Sequence, residues 1–318
     1  MRNRPVLVIG SRGSRLALTQ TGFVQAEIRR MVPEIEIRVE IIKTSADKNI
    51  EASLRESGAG TGVFVKELEN ALSREEIDIA VHSMKDVPTT IMEGLRIAAV
   101  PAREDARDAL ISNLCIPDTP QGEFTLFSLP MGARVGTGSF RRQAQLLALR
   151  PDLRIMDIRG NIDTRVMKVK NGEYDVVALA VAGLRRLGMQ NQISCTLSYE
   201  EMLPAPGQGA LAVEVRADDV YVNEIAKTLN HHPTALAVAV ERDFLERMGG
   251  GCNVPIAVYA RIRDGVLKID ALVAQPDGKH VVRGKTSGDP EKSANVCSAL
   301  AERVLTAGGR EILREFRR

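Results

Sequence analysis

The chain has no tryptophan, and aromatic residues make up only 3% of its 318 positions. That scarcity argues against a surface that stacks bases or sugars on aromatic platforms. Its cores must be built from Val, Leu, Ile and Ala. An excess of charge of one sign is also missing, since 43 Lys and Arg against 41 Asp and Glu leave a formal net charge of +2. General nucleic-acid and membrane-surface binders usually carry such an excess. No apolar run approaches the ~18 residues of a membrane span. The short run in MRNRPVLVIG breaks at a polar glycine turn, without the features of a signal peptide. The four cysteines, Cys115, Cys195, Cys252 and Cys297, form no CxxC pair, so neither metal-ligand spacing nor a disulfide framework is expected. What remains is a cytosolic globular protein, long enough for two or three domains.

The first two-thirds of the chain alternates strand and helix patterns. Val6–Ile9 reads as a strand, Gly10-Ser11-Arg12-Gly13-Ser14 as a turn, and Leu16–Met31 as a helix closed by Pro33. Glu36–Ile42 alternates like a strand. A glycine-rich stretch at 57–62 precedes a helical pattern with Val63, Phe64, Leu68, Ala71 and Leu72. Ile77, Ile79 and Val81 form another strand, ending in His82-Ser83-Met84-Lys85-Asp86-Val87-Pro88. After the polar text PAREDAR at 101–107 a second series begins. It holds a strand at Ala133–Val135, the turn Gly136-Thr137-Gly138-Ser139, a helix from Phe140 to Leu149 and a strand at Leu153–Ile158. Arg159-Gly160-Asn161 then opens a helix, and Tyr174–Ala180 is a buried-looking strand. This order predicts parallel sheets in two α/β lobes. VIGSRGSRLAL and RVGTGSFRRQAQL echo each other, each placing a glycine/hydroxyl turn and arginines between strand and helix. Leu203–Ala210 reads as a return hinge. Beyond it come a helix near Thr234–Met248, strands at Ile256–Ile262, Leu267–Val273 and His280–Arg283, and a final amphipathic helix over Lys292–Ala307.

Arg12, Arg141, Arg142, Arg159 and Arg165 all sit at or just after predicted strand-to-helix turns. Ligands of open parallel sheets bind beyond the carboxyl ends of the strands, beside helix N-termini with unpaired N–H groups. Arginine adds a planar fork matched to carboxylate or phosphate. No phosphate-loop motif is present, so a polycarboxylate fits better. One such arginine is as readily solvated or structurally paired; five together point to a multiply anionic ligand. Asp86 leaves the sheet at a strand end, where a carboxylate can move protons, stabilise a cation or merely close a turn. His82 is expected to pack or hydrogen-bond. Cys252 follows three glycines, which admit unusual backbone angles and a bulky neighbour. It is either a small buried hydrophobe or a nucleophile.

HSMKDVP (82–88), GTGSFRR (136–142), RGNIDTR (159–165), AVAGLRRLG (180–188), PGQGA (206–210) and GGCNVP (250–255) resemble the signature segments of the porphobilinogen deaminases. They occur in the family's order, and the resemblance covers essentially the whole chain. It implies an α/β protein of three domains, two resembling periplasmic-binding-protein lobes and a small α+β C-terminal domain. The bounds expected are 1–101 with 207–228, then 106–203, then 231–318.

By the same resemblance Cys252 holds a dipyrromethane cofactor through a thioether. Each porphobilinogen loses ammonia to give an electrophile that the terminal pyrrole attacks, and four additions are followed by hydrolysis to hydroxymethylbilane. Asp86 matches the catalytic aspartate. Ser83, Lys85, Thr137, Ser139, Arg141 and Arg142 match cofactor-binding positions, and Arg12, Arg159, Arg165, Arg186 and Gln208 match substrate-binding ones. No metal, nucleic acid or membrane partner is implied, and a monomer is expected. The main departure is the glycine-rich loop, where Ser57 and Thr61 stand in place of the family's usual lysines. Weaker loop contacts to substrate carboxylates are expected, with Arg15 or Lys48 as substitutes. Two other classes compete with the enzyme reading. A non-catalytic binding module for an organic anion leaves the Cys252 segment without a purpose. A thiol hydrolase lacks a recognisable histidine partner.

Overall fold

β1 (Val6–Ser11) runs into Arg12 and Gly13, and Ser14 then caps α1 (Arg15–Met31) by accepting a hydrogen bond from the Ala17 amide. The computed structural model describes residues 6–42, 63–114, 124–249 and 254–317. These divide into two compact units, 1–104 with 210–238 and 105–209 with 239–318.

The first unit holds β1, α1, β2 (Glu36–Ile41), α2 (Val63–Ser73), β3 (Ile79–Ser83), β4 (Leu95–Ala99), β10 (Leu211–Arg216) and α6 (Val220–Lys227). Its sheet has the order β2-β1-β3-β10-β4. β1 is parallel to β2 and β3, whereas β10 is antiparallel to both its neighbours. Successive strand side chains point to opposite faces. Leu7, Ile9, Val81, Val213 and Val215 therefore pack with Val24 and Ile28 of α1 and Val222 and Ile225 of α6. On the other face Ala80 meets Leu68, Ala71 and Leu72 of α2.

The second unit repeats the pattern with β5 (Asp108–Ser112), β6 (Arg134–Gly136), α3 (Phe140–Leu149), β7 (Arg154–Met156), α4 (Ile162–Lys170), β8 (Val176–Ala180), α5 (Val181–Arg186) and β9 (Cys195–Thr196). The sheet order is β7-β6-β8-β5-β9, with β6 parallel to β7 and β8 and β5 antiparallel to β8. The expected parallel strands are present in both lobes, but each five-stranded sheet also carries an antiparallel strand in its fourth place. The reason is that β5 and β10 enter their sheets at the edge where β8 and β3 leave: Asp108 is opposite Ala180 and Leu211 opposite Ser83.

β11 (Ile256–Arg263), β12 (Val266–Ala274) and β13 (Val281–Gly288) make an antiparallel meander that also belongs to the second unit. β13 is longer than its sequence pattern predicts because it runs through Gly284 and Gly288. A Cβ at either would collide with Leu300 and Val304, or with Val296, of α8 (Ser293–Val304). The final helix expected over 292–307 is present, and a further helix follows it. α8 ends, Gly308 takes a φ of 112°, and α9 (Arg310–Arg317) follows. α7 (His232–Arg247) covers the helix expected near 234–248. Among the described residues no helix is long and apolar enough to cross a membrane.

Candidate active site

In the first unit the predicted residues gather at the carboxyl ends of two adjacent parallel strands. Arg12 directly follows β1, and Ser83 closes β3. The next three residues, Met84, Lys85 and Asp86, wind into one 3₁₀ turn, closed by the Val87 amide donating to the Met84 carbonyl at 3.1 Å. Met84 and Val87 are buried with Ala210 and Ala212, which anchors the turn on its apolar side and leaves Lys85 and Asp86 half-buried. Ser83 Oγ accepts from Gln20 Nε2 of α1 at 2.8 Å. His82, expected to pack or hydrogen-bond, places Nε2 2.9 Å from Glu214 Oε2.

In the second unit the predicted residues cluster around three adjacent parallel strands. After β6, Thr137 is buried, and its Oγ1 accepts from the Ser139 amide at 3.2 Å. Ser139 caps α3 without a side-chain hydrogen bond, so its hydroxyl remains for other partners. Arg141 and Arg142, in the first turn of α3, are only 5% and 6% exposed. Arg141 Nη1 donates to Asp108 Oδ2 and to the Leu203 carbonyl, both at 2.8 Å. Arg142 donates to Asp108 Oδ1 from Nη2 at 2.8 Å and Nε at 3.1 Å, and to the Ala178 carbonyl from Nη1 at 2.9 Å. Gln208 Nε2 adds a third donor to the same carboxylate at 3.0 Å. Burial alone would push the Asp108 carboxyl up; Arg141 and Arg142 more than reverse this and hold it well below the usual carboxylate range.

Beyond β7, Arg159 is exposed and pairs with Asp157 at 2.9 Å. Gly160 follows with a φ of 111° and would meet Thr164 if it had a Cβ, while Asn161 caps α4 through the Thr164 amide. Half-buried Arg165 donates to the Gly160 carbonyl at 2.8 Å. Burial, then repulsion from Arg142 and Arg159, pulls its guanidinium down to about 10. Among the described residues, Arg141 and Arg142 thus share the Asp108 carboxylate, and Arg159 and Arg165 lie beside that of Asp157, four guanidiniums set against two carboxylates. Such an excess suits a ligand bearing carboxylates. After β8, Arg186 donates to the Gly209 carbonyl at 2.7 Å.

Asp108 is the residue that the sequence reading missed. It sits in a run of mixed charges, Arg103-Glu104-Asp105-Ala106-Arg107-Asp108, where nothing marks one acid as buried. Cys252, Cys115, Ser57, Thr61 and Lys48 lie outside the described residues. Of the other two cysteines, Cys195 is pushed up by burial, and Cys297 is pushed up to about 12 by burial and Asp243. Neither is a thiolate at neutral pH. Among the described residues no group of His, Cys, Asp and Glu could hold a metal ion.

Residues 7–239 match the family model described as porphobilinogen deaminase, dipyromethane cofactor binding domain, and residues 235–306 match that of the porphobilinogen deaminase C-terminal domain. A porphobilinogen deaminase of Thermus thermophilus is 46% identical over 98% of this chain and 99% of its own length. One from Carboxydothermus hydrogenoformans is 44% identical over 98% and 97%. Among solved structures, a Salmonella typhimurium periplasmic binding protein with high arginine specificity is similar at a TM-score of 0.40 and 12% identity, over 73% of this chain and 94% of that one. With the two family models matching residues 7–239 and 235–306 and relatives aligned along almost their whole length, the chain belongs to the porphobilinogen deaminase family.

Proposed function

We propose that this protein condenses four porphobilinogen molecules, with loss of ammonia, onto a dipyrromethane primer held by Cys252, and releases hydroxymethylbilane by hydrolysis. The observation that carries the reading is the arginine excess around Arg165, which lies within the stretch matching the cofactor-binding family model. Every pyrrole in the growing chain bears an acetate and a propionate, and the residues present fit such a group. Thr137, Ser139, Arg141 and Arg142 would hold the primer, with Ser83 and Lys85 supporting it. Arg12, Arg159, Arg165, Arg186 and Gln208 would take the incoming substrate. When bound, the primer supplies a free pyrrole α-carbon on which the chain grows.

Asp86 would act on the substrate itself. Loss of ammonia leaves positive charge spread over the pyrrole ring, and a carboxylate fixed beside it lowers the energy of that cation. Its position in a turn anchored by Met84 and Val87 holds the carboxylate in place before charge develops. The working protein is a cytosolic monomer of three domains, 1–101 with 207–228, 106–203 and 231–318.

The test is turnover of porphobilinogen with ammonia measured alongside. One ammonia per porphobilinogen consumed is expected. Asp86→Asn should lower kcat about 10²- to 10³-fold with little change in KM, as for loss of a group that acts on developing charge. An Asp86→Asn enzyme of normal kcat would remove Asp86 from the chemistry.

A further inference from the structure

His82 and Glu214 form a buried pair, directly before the turn of Asp86, that the chemistry above leaves unused. Glu214 is 0% exposed and His82 6%. In the antiparallel ladder of β3 and β10, His82 lies opposite Ala212 and Ala80 opposite Glu214. Residues two apart share a face, so His82 and Glu214 meet diagonally on one side of the sheet. That side also carries buried Arg216, held by the Leu72 and Ile77 carbonyls and Asp78, and is otherwise lined by apolar residues, with Ala80 against Leu68, Ala71 and Leu72, and Ala212 against Met84 and Val87. Glu214 Oε1 is buried there without a hydrogen-bond partner among the described residues. Glu69 of α2 is buried close by; burial first, then the Glu214 charge, pushes its carboxyl up.

Such a pair is a poor way to stabilise a core. Well-packed apolar residues of similar volume serve as well or better, and an unmet carboxylate oxygen adds a further cost. What the pair does supply is direction. His82 is the penultimate residue of β3, and four residues later the chain presents Asp86. The ladder beside it ends at Leu211–Ser83 and the Met84 amide bonding to the Ala210 carbonyl at 3.0 Å. A side-chain bond from His82 across to β10 fixes the last turn-ward residues of β3 from the interior.

The second unit has a counterpart. There too the antiparallel fourth strand carries a fully buried carboxylate, Asp108, and ties it to basic side chains at a ligand turn. Two sheets of the same order thus each bury a carboxylate on the fourth strand and pair it with basic side chains, Asp108 at the start of β5 and Glu214 within β10.

We propose that Glu214, acting through His82, is a positioning residue for Asp86. The proposal rests on the reading of Asp86 given above. Its test compares Glu214→Gln, His82→Gln, the double variant and Asp86→Asn, with turnover normalised to the fraction of folded protein carrying its primer by mass. Glu214→Gln should lower kcat about tenfold, because a small misplacement of a reacting group is costly. KM should stay within about twofold, since ground-state binding is untouched. The double variant should recover most of kcat, because two amides can exchange the same hydrogen bond. An unchanged kcat in Glu214→Gln, a rise in KM in its place, or a double variant as poor as the product of the singles overturns the proposal. Should Glu214→Gln alone not fold, the double variant decides, with near-parental kcat supporting the role and a loss of about tenfold or more rejecting it. Full activity in Asp86→Asn would instead defeat the underlying reading of Asp86. Loss in Asp86→Asn with a normal Glu214→Gln defeats the positioning role alone.

Discussion

At Arg165, burial and the neighbouring charges of Arg142 and Arg159 pull the guanidinium down to about 10. A basic group with a lowered folded pKa holds fewer protons than in the unfolded chain once pH passes that value, so its contribution to stability rises from there upward. Below about 10 its charge works against the fold, and an anionic ligand relieves that strain. Arg165→Gln should therefore raise the denaturant midpoint at neutral pH while raising KM for porphobilinogen about tenfold or more, the worth of one charge-assisted contact. A lowered midpoint with unchanged KM would make Arg165 a structural residue. The arginines were visible in the sequence as a set because all follow strand-to-helix turns. Their division of labour was not: Arg141 and Arg142 look no different from Arg159 in sequence, yet they are buried on Asp108 while Arg159 is exposed.

Among elements, Asp108 fastens the first turn of α3 to the start of β5, Arg142 reaches on to β8 through the Ala178 carbonyl, and Gln208 brings in the hinge segment. Asp108→Asn leaves two guanidiniums buried without their counter-ion and should cost about 3–5 kcal/mol in urea unfolding. The carboxyl is held below its usual range, so its contribution is present above about pH 4, the range of an unfolded carboxylate, and is lost as pH falls through the lower folded value. The difference between parent and variant should accordingly be flat from neutral pH down to mildly acid pH. A loss that appeared only above neutral pH would contradict the assignment. Elements bounded by turn chemistry were legible: Ser14 and Asn161 cap α1 and α4 where the sequence places glycine or polar turns. β10 was not, because a strand buried on both faces that also carries Glu214 and Arg216 shows neither alternation nor a clean apolar run. β13 was cut short because Gly284 and Gly288 read as breakers, while α8 needs that missing side-chain volume.

Over the whole molecule, the faint echo between VIGSRGSRLAL and RVGTGSFRRQAQL corresponds to two sheets of one strand order, each with its antiparallel strand in fourth place. That order depends on strands far apart in the chain, such as β10 beside β3, and local patterns do not encode it. Cys195 and Cys297 both have thiols pushed up, which leaves them poor nucleophiles, and the attachment proposed at Cys252 follows from the family resemblance. The mass of the intact purified protein tests that claim most directly. The account predicts active protein heavier than its sequence by two pyrrole rings, and Cys252→Ser protein of unmodified mass that is inactive. Active protein at the bare sequence mass, or an adduct that survives in Cys252→Ser, would contradict it.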